Sequence, residues 1–148
     1  MINTNQFATS ITVDIPQGSI GNLQIGLASS TSDLVTTAVI TTSTTAYSDV
    51  SSISFTPEKT GKLKVSAILF VNNDTAADGV SCQLAAGTAT YGTETLLSSA
   101  ASQVQAWAFD GIVVGTVGTA ITISTQIEAV TGGSASAVGN LVVQELLA

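Results

Sequence analysis

Gly61–Asn73, GKLKVSAILFVNN, is the stretch that decides the fold. Side chains alternate across a β-strand with period two. Leu63, Val65, Ala67, Leu69 and Val71 therefore share one face, which is apolar throughout. Lys62, Lys64, Ser66, Ile68, Phe70 and Asn72 share the other, which starts charged and turns apolar at Ile68 and Phe70. A strand wet at one end and apolar on both faces at the other suits an element entering a sandwich core or a subunit interface.

Moving outward, Pro57 and Gly61 bracket a turn holding Glu58, Lys59 and Thr60. Its charges, with those of Lys62 and Lys64, read as a solvated cluster that discourages edge pairing. Before the turn, Tyr47–Phe55 sets Ile53 and Phe55 against Ser52 and Ser54, and Leu34–Thr42 is β-branched. After the long strand, Asn72–Gly79 is a turn, and Val80–Ala86 alternates cleanly. Thr88–Leu97 carries Tyr91 and a Gly92 kink, and reads as a strand or a meandering edge. In Gln103–Val114, Val104, Ala106 and Ala108 oppose Trp107 and Phe109, which predicts a central strand apolar on both faces. Thr119–Ala129 turns Ile121, Ile123 and Ile127 inward. The last strand, Val138–Leu147, places Leu141, Val143, Glu145 and Leu147 opposite Val142, Gln144 and Leu146. No helical period of any length appears; Thr95–Gln103 is the nearest candidate. About eight to ten strands separated by turn residues predict one all-β antiparallel sandwich or barrel.

Residues 1–32 stand apart. Ile11, Val13 and Ile15 alternate up to Pro16, and Leu23, Ile25 and Leu27 alternate beyond Gly21. Two readings fit: an extended N-terminal arm over 1–32 preceding a domain over 33–148, or ordinary outer strands of the same sandwich. As an arm, Ile11, Val13, Leu23 and Ile25 are the candidates for contact with a neighbour.

Composition narrows the function. Ser, Thr, Ala and Gly make up nearly half of the 148 residues, and charged residues are only 9%. The net charge is −7, with no Arg or His, and all three lysines fall between residues 59 and 64. Nucleic acid and anionic lipid both need distributed cations, so neither is expected as a partner. Residues 1–10 lack a basic and apolar leader, and no apolar run is long enough to span a membrane. The expectation is synthesis in the cytoplasm, with an extracellular life reached through lysis or particle assembly. The single Cys82 sits in an alternating run and is expected to be buried.

No catalytic pattern is present. Without His, Ser-His-Asp and Cys-His chemistry is excluded, and the commonest zinc ligand is missing. Two of the ten carboxylates at a suitable separation would suffice for glycoside cleavage. The aromatic platforms of a sugar groove are missing, however, and no enzyme and no cofactor are expected. Asn72, Asn73, Asp74 and Asp78 offer oxygens for Ca²⁺, but Asn and Asp are also what a turn wants. The Asn73-Asp74-Thr75 sequon reads as chance without a secretion signal. Ile68, Phe70, Trp107 and Phe109 give more apolar surface than two facing sheets need. They are candidates for the core or for a trimer interface.

From about Thr41 onward, the order of features resembles the C1q/TNF-like jelly rolls of bacteriophage structural proteins. TTAYSDVSSISF over Thr44–Phe55 leads through a Pro-to-Gly turn into GKLKVSAILFVNN. Cys82-Gln83-Leu84, the strand through Trp107, GTAITISTQ over Gly118–Gln126 and LVVQEL over Leu141–Leu146 follow. The resemblance implies a jelly roll, a homotrimer and an architectural role in the virion. That role is capsid decoration, or cement, on the major capsid protein outside the head, or else a fibre tip that binds a host receptor or glycan. It carries over no functional residue. An exposed Trp107 or Tyr91 would favour the tip, and their burial would favour decoration.

Overall fold

The computed structural model describes the backbone of residues 30–42 and all of residues 46–146. Among these residues every element is a strand: β1 (Ser30–Thr42), β2 (Ser48–Phe55), β3 (Lys62–Asn73), β4 (Gly79–Ala86), β5 (Ala89–Leu97), β6 (Gln105–Val114), β7 (Ile121–Ala129) and β8 (Ala135–Glu145). Their pairing is antiparallel throughout. One sheet runs β1-β8-β3-β6 and the other β2-β7-β4-β5. Their inner faces close on one core, so the expected all-β antiparallel sandwich is what the chain forms.

β3 lies between β8 and β6, with Leu69 opposite Gly139 on one side and Trp107 on the other. Leu63, Val65, Ala67, Leu69 and Val71 all point into the core, as their period requires. The lysines at its start therefore do not guard an edge, because β3 has a partner on each side. Its other face stays open to solvent at the far end: Ile68 is 39% exposed and Phe70 47%.

Among the described strands β6 lies at the edge of its sheet, where its composition predicts a central strand. Trp107, Phe109 and Val113 point inward, while Ala106, Ala108, Ile112 and Val114 lie on the outer face of the sheet, which no second layer among the described residues covers. Two apolar faces thus mark a strand with one face in the core and the other on an apolar exterior.

The open side of the sandwich, between β5 and β6, is sealed by aromatic packing. Trp107 stacks on Phe109 at 6.5 Å between ring centroids, and Phe109 tilts against Tyr91 at 6.1 Å. The Trp107 Nε1–H donates to the Gly92 carbonyl at 2.9 Å. That carbonyl is aimed by a bulge in β5, where the register slips between Cys82 and Leu84. Gly92 has φ +59°, and a Cβ there would lie 2.9 Å from Phe109. Gly92→Ala should therefore cost about 1–2 kcal/mol, from the left-handed backbone and the clash together. Thermal unfolding of that variant against the parent checks this.

β8 is tied to the β2–β3 turn by a carboxylate. Glu145 points inward, 4% exposed. Its two oxygens accept from the backbone N–H groups of Glu58, Lys59, Thr60 and Gly61 at 2.8–3.0 Å. Burial disfavours its charge, but the four backbone donors outweigh that and hold its pKa down at about 2. At the opposite end of β3, Asn73 joins two loops by donating to the carbonyls of Gly79 and Gly132 and accepting from the Thr75 N–H. Asp74 accepts from the Ser134 N–H, and Asp78 from the Thr131 hydroxyl, so this turn uses its polar side chains for cross-bracing. Among the described residues, no cluster of three or more His, Cys, Asp or Glu is placed to hold a metal ion. Cys82 is fully buried, and burial, with the nearby Glu94 charge, pushes its thiol up to about 12.

Candidate interaction face

The register of β8, β3 and β6 builds the outer face of their sheet row by row. Val138, Phe70 and Ala106 form one row, and Asn140, Ile68 and Ala108 the next. Val142, Ser66 and Asp110 follow, then Gln144, Lys64 and Ile112. The first two rows carry no charge. Phe70 and Ile112 are each 47% exposed, and Val104, beside Phe70, 62%. Shallow dents break the surface. One is bounded by Phe70, Asn72, Val104, Ser136 and Val138, and another by Ser66, Ile68, Asn140 and Val142.

Of the three charges on the remaining rows, Lys64 and Asp110 pair with each other, and Lys62, opposite Val114, is the third. Lys64 Nζ lies 2.6 Å from Asp110 Oδ1, and the Ser66 hydroxyl donates to the same oxygen at 2.7 Å. Those two bonds hold the Asp110 carboxyl below the usual carboxylate range. On these three strands the outer face thus carries one paired acid, in a chain of net charge −7. In the middle of β8, the Asn140 Oδ1 is buried with no hydrogen-bond partner.

The opposite exterior, on β2-β7-β4-β5, differs in kind. Its polar groups bond to one another. Tyr47 pairs with Ser81 at 2.7 Å, Gln83 donates to Gln126 at 2.8 Å, and Gln126 donates to Asp49 at 2.7 Å. Thr93 reaches Gln83, and Ser124 donates to Ser52. This shielding buries Ser81 and Gln83 on an outward face. Its formal charges, from Asp49 and Glu128, are both negative.

The predicted site residues divide. Ile68 and Phe70 lie on the outer face, while Trp107, 1% exposed, sits in the core and Phe109 packs against it. The two pairs occupy opposite sides of one sheet and form no common site. Tyr91 is half-buried beside Phe109, so neither it nor Trp107 stands exposed in a groove. Ile11, Val13, Leu23 and Ile25 lie outside the described residues. The residues that sequence reasoning missed are Val138, Asn140 and Ile112. The two-faced pattern of β8 was a signal for the valines, but nothing in GNL marked Asn140.

No family model and no curated protein matches the chain. Its backbone is similar to the infectious bursal disease virus VP2 subviral particle, with TM-score 0.53 and 13% identity over 78% of this chain and 32% of that one. The T=1 particles derived from the same virus give TM-score 0.53 and 13% identity, over 78% and 31%. The fold is a jelly roll. Eiger TNF from S. frugiperda also matches, with TM-score 0.48 and 13% identity over 80% of this chain and 93% of that one. The jelly roll described here spans about a third of the length of the VP2 chains it matches. At this identity the likeness is one of fold alone.

Proposed function

We propose that this chain is a virion structural protein that self-associates, as a homotrimer, through the outer face of the β1-β8-β3-β6 sheet and decorates the outside of a phage head. The observation that carries the reading is that face: apolar over two rows, with its one acid paired on β8, β3 and β6 and no described element packed over it, on an otherwise acidic chain. Contiguous apolar surface is what a subunit contact buries. Approach by the opposite exterior would set like charges against each other. Ile68 and Phe70 serve the contact between copies, while Trp107 and Phe109 serve the core. Ile11, Val13, Leu23 and Ile25 are assigned to contact with the major capsid protein. The role is architectural and assigns no catalytic step or cofactor to the chain. The fold it shares with a protein of viral particles supports it. The burial of Trp107 favours decoration over a fibre tip that recognises a host glycan.

Two measurements test this. Light scattering over a concentration series should give a mass near three times 14.8 kDa. Ile68→Asp with Phe70→Asp should give a monomer with an unchanged circular dichroism spectrum, because buried unpaired carboxylates oppose association strongly. Wild-type chain that stays monomeric overturns the trimer. Immunogold labelling of virions from the encoding virus should mark the heads. Label at fibre tips supports the alternative, and absence from virions overturns both.

A further inference from the structure

We propose that copies of this chain meet head to tail, the apolar patch around Val114 and Val117 on one copy packing onto the patch around Ile68 and Phe70 on the next. This rests on the outer face of the β1-β8-β3-β6 sheet being the contact between copies. A three-fold axis never brings a patch onto the same patch of another copy, so a closed trimer needs two different patches on each chain. That face carries two. Ile68, Phe70 and Val138 form the first, toward the end of β3 that runs into the β3–β4 turn. Val114 forms the second, opposite Lys62, with Ile112 one row away and Val117 beside Gly61. Val114 is 70% exposed and Val117 48%. The polar row of Ser66 and Asp110 lies between the patches. From Ala106, opposite Phe70, to Val114 is about 27 Å along β6.

Charge decides which patch meets which. All three lysines of the chain lie between residues 59 and 64. Lys64 is paired with Asp110, whereas Lys59 and Lys62 are exposed at the Val114 end. Glu58 is the exposed acid there, and the Glu145 carboxylate is enclosed by its four backbone donors. The Phe70 end of β3 has the opposite sign, from Asp74 and Asp78 in the β3–β4 turn, Asp74 being fully on the surface. Head-to-tail packing carries Lys59 and Lys62 of one copy toward Asp74 and Asp78 of the next. Opposite charges at the rim then steer the two patches together. A contact of the Phe70 patch with itself offers no such pairing. The second copy is thus the partner that supplies both the apolar patch and the cations this end of the sheet lacks.

The test mixes two variants and reads their mass by light scattering. Ile68→Asp with Phe70→Asp removes one patch, and Val114→Asp with Val117→Asp removes the other. Each alone should be monomeric with an unchanged circular dichroism spectrum. Mixed in equal amounts they should form a heterodimer of about twice 14.8 kDa, because each keeps the patch the other lacks and a single contact cannot close a ring. Lys59→Glu with Lys62→Glu, which leaves both apolar patches intact, should associate about tenfold more weakly than the parent. Should an aspartate variant unfold, this charge reversal decides alone. If the Val114 and Val117 variant associates as the parent does, if the mixture stays monomeric, or if the charge reversal changes nothing, the inference falls while the contact face stands. If the parent is monomeric throughout, the face and the inference fall together.

Discussion

Trp107→Ala is expected to cost about 3–5 kcal/mol, the range for removing a large buried aromatic and leaving a cavity. Three losses coincide. The indole is 1% exposed, so nearly all its apolar area returns to water or becomes void. Its stack on Phe109 disappears, which also loosens the Phe109–Tyr91 contact. The Gly92 carbonyl loses its donor, and the bulge that brings β5 over the edge of the core loses its anchor. In a domain of this size, each kcal/mol shifts the melting temperature by about 2–4 °C, so the drop should be on the order of 10 °C. Trp107→Phe separates the contributions. It keeps most of the packing and loses the hydrogen bond, and should cost about 1–2 kcal/mol. Trp107 is the only tryptophan, so unfolding of these variants must be followed by circular dichroism.

Glu145→Ala should cost about 3 kcal/mol, because it leaves four backbone donors of the 58–61 turn without their acceptor. Glu145→Gln should cost less, since one amide oxygen still accepts. Urea denaturation of both variants against the parent measures the difference. The sign of the pH dependence follows from the direction of the shift. The folded carboxyl titrates at about 2, below its ordinary 4.5, so its contribution is complete above pH 4.5. It falls away as the pH drops from 4.5 through about 2. The parent should therefore lose stability over that window. Glu145→Gln should lose less there, and a parent and variant with parallel curves would remove Glu145 from this role.

Much of the sandwich was legible because period-two alternation reports burial directly. β3, β4 and β7 place the predicted apolar positions in the core, and Cys82 is buried as its run implied. Where the reading failed, the pattern was right and its meaning was not. Apolar groups on both faces of β6 signalled a covered strand, but one of those faces is the exterior of the sheet. Ile68 and Trp107 could be grouped from sequence as two-faced apolar residues. Only the pairing of Leu69 with Trp107 shows that they point to opposite sides. Glu145 was hidden for a different reason. An acid at an inward position looks like an exception to the alternation. Its value depends on a turn some 85 residues away, which no local pattern reveals. Asn140 is silent in the same way, because an unpaired acceptor is defined by surroundings that come from three strands.

The strand order has a consequence for how the chain is made. Among the described strands, β1, the first, pairs with β8, the last, and with no other, and β8 also supplies one whole flank of β3. A ribosome emitting this chain therefore releases β1 well before its partner exists. The β2-β7-β4-β5 sheet can assemble once β7 has emerged, while the other sheet must wait for residues 135–145. Such long-range pairing makes folding slow. During that interval the apolar stripes of β3 and β6 are unsheltered. Crowded synthesis of many copies is then the condition under which this chain most needs a chaperone.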